Sequence, residues 1–174
     1  METPRTGVFG KLPAHGDFVR RALPRSFITP WDDWLSAGIA AARETLGEEW
    51  EATWEAAPIW RFRLAPGACG PEAAVGVVAT SADTVGRRFP LTLAAVLPAA
   101  SLPPPEAWFA ALEAALARAR VGEVDADALF DQLPPPPPDD PDVTLDGRSL
   151  FWVGGGASMG MPAHFAPLLE APPA

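Results

Sequence analysis

The sequence predicts an α+β fold in which helices pack on a mostly antiparallel sheet of about five strands. Two segments, 30–46 and 106–120, repeat apolar residues every three or four positions, as amphipathic helices do. Three short apolar runs between them, 59–64, 75–80 and 89–97, are separated by turn-forming residues. Short connections between consecutive strands favour antiparallel pairing, because parallel strands need a longer crossover. The predicted architecture is therefore three layers, α/β/α, with a meander at its centre.

The first predicted strand, at 8–12, is ended by Pro13 and followed by the first long helix. Thr29 has a side chain suited to capping this helix, Pro30 suits its first position, and Gly47 is a typical stop. A single buried stripe is predicted from the apolar residues at helical spacing, which are Trp31, Trp34, Leu35, Ile39, Ala42 and Leu46.

A shorter helix is predicted at 48–57, where Pro58 ends it, and the apolar period then changes from about four residues to two. In the strand 59–64, Arg61 and Arg63 share one face. The opposite face carries the apolar residues Trp60, Phe62 and Leu64. This alternation predicts a strand with one buried side and one exposed side.

The last part of the chain contains two further helices and a strand. The helix 106–120 is predicted to stop at Gly122, and a short helix is predicted at 125–133. Five consecutive prolines and several aspartates then predict a Pro-rich surface loop at about 134–142. A final strand is predicted at 149–153. The order strand, helix, meander, helix, strand is similar to a profilin-like or longin-like layout.

Composition excludes several classes of function. The chain of 174 residues fits a single domain, 1–174, with 48% apolar residues, a formal net charge of −9 and a pI near 4.6. An acidic surface disfavours nucleic acid and anionic membranes. The one cysteine, Cys69, excludes an intrachain disulfide and favours a reducing compartment. The N-terminus has no apolar signal segment, and the longest apolar run, 91–100, is too short to span a bilayer. We therefore expect a cytoplasmic protein without membrane insertion.

Two loop segments, 7–21 and 83–93, concentrate the polar groups of this otherwise Ala- and Pro-rich chain. Each contains an Asp, a Gly and two adjacent Arg beside apolar residues. The candidate partner-binding residues are Lys11, His15, Asp17, Arg20, Arg21, Asp83, Arg87 and Arg88. Arginine forks suit acidic or phosphorylated surfaces of a partner. The same residues also suit an internal clamp between the loops, with Asp17 paired to Arg87 or Arg88 and Asp83 paired to Arg20 or Arg21. Both interpretations stay open.

The strongest catalytic motif is Gly-x-Ser-x-Gly at 156–160, which matches the nucleophile elbow of serine hydrolases. No acid lies between Ser158 and His164, so the order of a catalytic triad is not satisfied. The phosphate-loop and dinucleotide-binding patterns are also incomplete. His15 and Asp17 are the only close pair of a histidine with a carboxylate, and a stable metal site usually needs three or four ligands. We expect no metal and no cofactor, and a hydrolase that uses Ser158 is an alternative.

The chain resembles the TagF family, also called ImpM, of bacterial type VI secretion systems. The resemblance covers most of the sequence and is carried by the run Gly-x-Phe-Gly-Lys-Leu-Pro-x-x-Gly-Asp-Phe-Val-x-Arg at 7–21 and by Leu23-Pro24, Trp31-Asp32-x-Trp34-Leu35, Ala57-Pro58-x-Trp60-Arg61-Phe62, Asp83-x-Val85-Gly86-Arg87-x-Phe89-Pro90-Leu91 and Ser149-Leu150-Phe151-Trp152. Two positions depart from the usual pattern. Thr80 stands where the family commonly has Pro, and Phe151 stands where it commonly has Trp. The segment 134–142 is particular to this chain.

The resemblance implies a non-enzymatic accessory protein that represses assembly of the secretion apparatus after translation. Its implied partner is the forkhead-associated scaffold protein of the same system. Some family members are fused to a protein phosphatase domain, which this chain is too short to contain. A structural subunit of the apparatus is a further alternative for a protein of this family.

Overall fold

The computed structural model describes residues 4–97, 104–138 and 147–172. Its centre is a seven-stranded sheet in which every neighbouring pair is antiparallel, in the order β2-β1-β5-β4-β3-β6-β7. The strands are β1 (Gly7–Gly10), β2 (Val19–Arg21), β3 (Trp60–Leu64), β4 (Ala73–Ala79), β5 (Leu91–Leu97), β6 (Leu150–Trp152) and β7 (Met159–Gly160). The α+β class and the antiparallel meander β3-β4-β5 are confirmed, with seven strands instead of about five.

Among the described residues, four α-helices cover the two faces of the sheet. They are α1 (Arg25–Leu46), α2 (Trp50–Ala56), α3 (Glu106–Arg120) and α4 (Ala126–Gln132). Helices α1 and α2 pack on one face and α3 and α4 on the other, so each face has its own hydrophobic core. The predicted three-layer arrangement is therefore confirmed. Within the described residues, no helix is both long and apolar enough to cross a bilayer.

Helix α1 begins one turn before the predicted start, so the prediction that Thr29 caps it is wrong. The carbonyl of Pro24 accepts hydrogen bonds from the backbone N–H groups of Phe27 and Ile28, at 3.0 Å each, and Pro30 lies inside the helix. Phe27 and Ile28 are both buried, and this burial offsets the hydrogen bond that Pro30 cannot donate. The predicted stop is confirmed, because Gly47 caps the helix with a φ of 52°.

The core under α1 is aromatic. Trp31 is fully buried, stacks on Trp34 with ring centroids 5.0 Å apart, and donates its indole N–H to Thr92 Oγ1 at 2.9 Å. Trp60 donates its indole N–H to the carbonyl of Leu168 at 2.6 Å, in the C-terminal turn Ala166–Leu169. The indole N–H groups of Trp31 and Trp60 therefore both have the hydrogen-bond partner that a buried donor needs.

The core under α3 and α4 is mostly aliphatic, but it contains one buried cation. The prediction that Arg61 lies on an exposed face of β3 is wrong, since its side chain is only 4% exposed. Helix α3 covers this face, and Arg61 forms ion pairs with Glu106, at 2.6 Å, and with Glu113. The hydrogen bond to Glu106 raises the pKa of the guanidinium above its ordinary value, although burial alone would lower it.

The remaining predicted elements agree with the structure, with two additions. Helix α3 has the predicted bounds, and α4 is capped by the Asp125 side chain, which accepts from the Ala128 N–H at 2.8 Å. Strand β6 matches the predicted segment 149–153, but β7 follows it and β2 lies between the first strand and α1. Residues 134–138 of the Pro-rich segment form no regular structure, and residues 139–142 lie outside the described residues.

Candidate functional site

The two polar loops of the sequence meet at one end of the sheet. The first loop, 11–18, follows β1, and the second, 80–90, precedes β5, which is the neighbour of β1 in the sheet. Gly10 makes the close approach possible, because it has a φ of 131° and a Cβ at this position would lie 2.0 Å from the carbonyl oxygen of Pro90. We call residues 11–18 and 80–90 the loop junction.

Asp83 is the centre of the loop junction. Its buried carboxylate accepts hydrogen bonds from Lys11 Nζ at 3.1 Å and from Arg87 Nε at 2.7 Å, both at Oδ2. The other oxygen, Oδ1, accepts from the backbone N–H groups of Val85 at 3.1 Å and Arg87 at 2.9 Å. The carboxylate thus fixes the turn of its own loop and joins it to the first loop.

These bonds determine the ionisation of Asp83. Burial alone would raise the pKa of its carboxyl, but the hydrogen bonds from the Arg87 backbone, from Lys11 and from the Arg87 side chain outweigh burial and hold the pKa at about 2. The group is therefore a carboxylate at neutral pH, and its charge is balanced by the two cations that bind it.

Further hydrogen bonds join the two loops through their backbones. Arg87 donates from Nη2 to the carbonyl of Gly16 at 2.6 Å. The Thr84 N–H donates to the carbonyl of His15 at 2.9 Å, and its hydroxyl donates to the carbonyl of Pro13 at 2.9 Å. The imidazole of His15 accepts from the Ala126 N–H at 2.9 Å, so the first loop is also tied to the start of α4. The two loops are therefore fixed by hydrogen bonds to each other and to the start of α4.

The structure therefore contains an internal clamp between the two loops, but the paired residues differ from those predicted. The predicted pairs of Asp17 with Arg87 or Arg88 and of Asp83 with Arg20 or Arg21 are wrong. Arg20 and Arg21 lie on β2, on the far side of β1 from β5, and Arg21 instead pairs with Asp127 of α4 at 3.1 Å. Asp83 is instead bound by Lys11 and by Arg87 of its own loop.

The exposed candidates remain predictions for partner binding. Arg20 and Asp17 are exposed and make no salt bridge within the part of the chain that the structure describes. The Arg87 side chain is 62% exposed although it contacts Asp83, and Arg88 forms only loose pairs with Glu51 and Glu55, at 3.6 and 3.9 Å. Lys11 and Asp83, in contrast, are buried in the clamp.

Exposed apolar residues at the junction were missed by the sequence reasoning. Phe18 is 50% exposed and Val85 is 71% exposed, and among the described residues only Val121 is a comparably exposed large apolar residue. The Phe18 ring packs edge-on against Phe89 at 4.8 Å, and Lys11 Nζ lies 4.8 Å from its centre. In the sequence they are apolar residues within the two polar loops, and only the packing shows that they face solvent.

A cavity beside the junction was also missed. It has a volume of about 240 Å³ and is lined by Ile39, Arg43, Trp50, Gly86, Arg87 and Arg88. Arg43 comes from α1, and Trp50 comes from α2. In the sequence, Arg43 is one of several charged residues on the polar side of a helix, so no local signal connects it to the second loop.

A smaller cavity of about 100 Å³ is lined by Trp54, Glu55 and Arg120 and by residues that follow β4, among them Thr80. Arg120 donates to the Thr80 hydroxyl at 3.0 Å, and Thr80 donates to the carbonyl of Trp54 at 2.8 Å. Burial lowers the pKa of Arg120 from its ordinary value. This chain of hydrogen bonds ties α3 to α2 across the sheet end.

The candidate nucleophiles have no catalytic setting among the described residues. Ser158 is exposed in the loop between β6 and β7, so a strand follows it where the nucleophile elbow requires a helix. His164 accepts from the Ala166 N–H at 3.2 Å through Nδ1. Burial raises the pKa of the Cys69 thiol to about 11, which keeps it protonated. No group of three or more His, Cys, Asp or Glu is placed to hold a metal within residues 4–97, 104–138 and 147–172.

The fold and the junction define a class of small three-layer domains whose polar loops gather at one end of an antiparallel sheet. A family model described as the TagF N-terminal domain, type VI secretion system-associated, matches residues 7–134, and the chain belongs to this family. The crystal structure of PA0076 from Pseudomonas aeruginosa PAO1, at 2.05 Å resolution, is similar with a TM-score of 0.82 and 33% identity over 97% of each chain. A search of curated proteins gave no match. The protein is therefore associated with type VI secretion, as the resemblance implied.

Proposed function

We propose that this protein represses assembly of the type VI secretion apparatus after translation, as a non-enzymatic regulator in the cytoplasm. Its partner in this proposal is the forkhead-associated scaffold protein of the same secretion system. Membership of the TagF N-terminal family, over residues 7–134, supports the association with secretion. The acidic composition and the position of Ser158 on a hairpin favour a binding protein over an enzyme.

The observation that carries the binding proposal is the exposed apolar and cationic surface of the loop junction. Phe18 and Val85 are exposed beside Arg87, and Arg20 is two residues after Phe18. Aromatic and arginine side chains are enriched in protein interfaces and contribute most of their binding free energy. An exposed aromatic residue on an ordered loop is therefore a good anchor for a partner.

The internal clamp supports the same proposal. Lys11, Asp83 and Arg87 fix the loops before any partner binds, as do the backbone bonds of Thr84. A surface that is ordered in advance loses less conformational entropy on binding. The clamp and the interface are thus compatible uses of one loop junction.

Isothermal titration against the purified forkhead-associated scaffold protein from the same secretion cluster tests the proposal. We expect saturable binding by the wild type. Phe18→Ala should weaken it at least about tenfold, as truncation of an interface anchor does. Arg20→Glu should weaken it too if the partner surface is acidic. Arg20 is preferable to Arg87 for charge reversal, because Glu at position 87 would face the buried Asp83 carboxylate.

Matched controls lie elsewhere on the molecule. Val121→Ala truncates an exposed apolar residue after α3, and Arg118→Glu reverses an exposed charge within α3. Both should bind like the wild type. Absence of saturable binding by the folded wild type would contradict the proposed partner, and equal binding by all four variants would contradict the proposed surface.

A further inference from the structure

The cavity beside the loop junction has an unusual concentration of positive charge. Three of its six lining residues are arginines, Arg43, Arg87 and Arg88, and none of the six carries a carboxylate. The whole chain has 22 acidic residues and only 13 Lys and Arg. The carboxylates that pair with Arg87 and Arg88 lie outside this lining, so the opening itself presents guanidinium groups, and a cluster of such groups attracts an anion.

Contacts with neighbouring residues hold two of these arginines in place without using all their donors. Arg87 is oriented by Asp83 and by the Gly16 carbonyl, through Nε and Nη2, and its Nη1 has no partner among the described residues. The Arg43 guanidinium lies 5.8 Å from the centre of the buried Trp50 ring. Both groups are therefore positioned in advance, and both keep N–H donors for a ligand.

Arg88 is the adjustable member of the set. Its pairs with Glu51 and Glu55, at 3.6 and 3.9 Å, are too long for good hydrogen bonds, and both glutamate side chains are 74% exposed. Exposed pairs of this length contribute little and exchange readily. A ligand with stronger acceptor oxygens can therefore take the Arg88 donors without a large loss elsewhere.

We propose that this cavity binds a phosphoryl group carried by a serine or threonine side chain of a protein partner. The inference rests on the proposed function, because it assigns a chemistry to the partner of the same junction. The volume of about 240 Å³ lies below the range of about 300–1,000 Å³ typical of pockets for drug-sized ligands. The cavity therefore suits one side-chain group rather than a nucleotide.

Charge favours a phosphoryl group over a carboxylate. A side-chain phosphate carries a charge of about −1.5 to −2 and three acceptor oxygens, whereas a carboxylate carries one charge and two oxygens. Three arginines match three oxygens, and arginine forks bind phosphate through paired hydrogen bonds. Clusters of arginine are a recurring means of recognising phosphorylated residues.

The test is an NMR titration of the full ¹⁵N-labelled chain with N-acetyl-phosphothreonine-N-methylamide. We expect saturable shifts of the Trp50 indole N–H and of the arginine Nε–H signals. Arg43→Gln should weaken the apparent affinity at least about tenfold, since it removes a charged donor. Arg88→Gln is the second variant. Arg118→Gln, at an exposed position in the last turn of α3, is the matched control and should leave the affinity unchanged.

Two further probes identify the source of the anion. N-acetyl-threonine-N-methylamide and the corresponding glutamate compound should give no saturable shift in the same concentration range. Inorganic phosphate should bind more weakly than phosphothreonine, because it lacks the side chain that contacts Ile39 and Trp50 at the cavity wall. Equal affinity for inorganic phosphate would overturn the assignment to a protein partner, and no saturable response to phosphothreonine would overturn the site itself.

Titration of the scaffold protein separates this inference from the proposed function. If the wild type binds the scaffold protein and Arg43→Gln binds it equally, the phosphoryl site is wrong and the proposed function stands. If phosphothreonine binds in an Arg43-dependent manner but the scaffold protein does not bind in either its phosphorylated or its phosphatase-treated form, the site stands and the proposed partner is wrong.

Discussion

Arg61 and the arginine cavity show two opposite uses of the same side chain. Arg61 is 4% exposed beneath α3 and has carboxylates from two turns of that helix, Glu106 and Glu113. The cavity formed by Arg43, Arg87 and Arg88 has no carboxylate in its lining. Arg87 and Arg88 pair with carboxylates that lie outside the cavity, so guanidinium donors remain in the lining, where an external anion can bind them.

The loop junction lies between these extremes. Asp83 binds both Lys11 and Arg87, yet the Arg87 side chain remains 62% exposed. One carboxylate thus stabilises the fold and at the same time orients a cation for the cavity. Three kinds of substitution test this difference between the arginines: removal of Arg61, neutralisation of Asp83 and removal of a cavity arginine. The expected loss of stability decreases in that order.

Removal of Arg61 should have the largest effect on stability. Arg61→Ala deletes both ion pairs and the guanidinium that lies 5.3 Å from the Phe109 ring, and it leaves a gap between β3 and α3. We expect the free energy of unfolding to fall by about 2–4 kcal/mol, because truncation of this large buried side chain leaves a cavity in addition to the lost ion pairs. Urea unfolding measures it. Arg118→Ala, on the exposed side of α3, is the control, and a loss below about 1 kcal/mol for Arg61→Ala would show that the pairs are not structural.

Neutralisation of Asp83 should have an intermediate effect that depends on pH. Asp83→Asn removes the charge that binds Lys11 and Arg87, so the variant should unfold at a lower urea concentration than the wild type at pH 7. The folded pKa of about 2 lies below the usual 3.8, so the wild-type carboxylate stabilises the fold above about pH 4. This contribution is lost as the pH falls from about 4 to about 2.

The Asp83→Asn variant lacks the stabilisation by the Asp83 carboxylate at every pH. Its stability should therefore decline less steeply than that of the wild type between pH 4 and pH 2, when both are followed by circular dichroism. Asp17→Asn, at an exposed position in the same junction, is the matched control and should keep the wild-type pH profile. Parallel profiles for Asp83→Asn and the wild type would show that the Asp83 carboxylate does not stabilise the junction.

Elements with strong local signals could be predicted from the sequence. The bounds of α3 and the stop at Gly47 depend on residues within one helical turn of the boundary. The start of α1 could not be predicted from local sequence. Pro30 is typical of the first position of a helix, but burial of Phe27 stabilises an additional turn before it. Strands β2 and β7 are three and two residues long, and they exist through pairing with β1 and β6 rather than through their own pattern.

The candidate site could be predicted in outline but not in its pairs. The likeness of the two polar loops indicated that they act together, and β1 and β5 do place them side by side. The cation that pairs with Asp83 is determined by the order of the strands and by the face on which each side chain lies. Local sequence patterns predict neither of these. The burial of Arg61 was mispredicted for the same reason. The strand alternation indicated an exposed face, but helix α3 covers that face, and its Glu106 lies 45 residues after Arg61 in the chain.

The smallest effect on stability is expected for the cavity arginines, and it makes the sharpest contrast with Arg61. Arg43 is exposed and forms no ion pair within the described part of the chain, so Arg43→Gln loses only the contact with the Trp50 ring and should lower the free energy of unfolding by less than about 1 kcal/mol. Arg88→Gln loses two loose pairs and should cost about 0–1 kcal/mol. Urea unfolding of Arg43→Gln, Arg88→Gln and Arg61→Ala in the same experiment measures the three changes in the free energy of unfolding. If Arg43→Gln destabilised the fold as much as Arg61→Ala, the guanidinium would be a structural group, and any loss of phosphothreonine binding would no longer indicate a site built for an external anion.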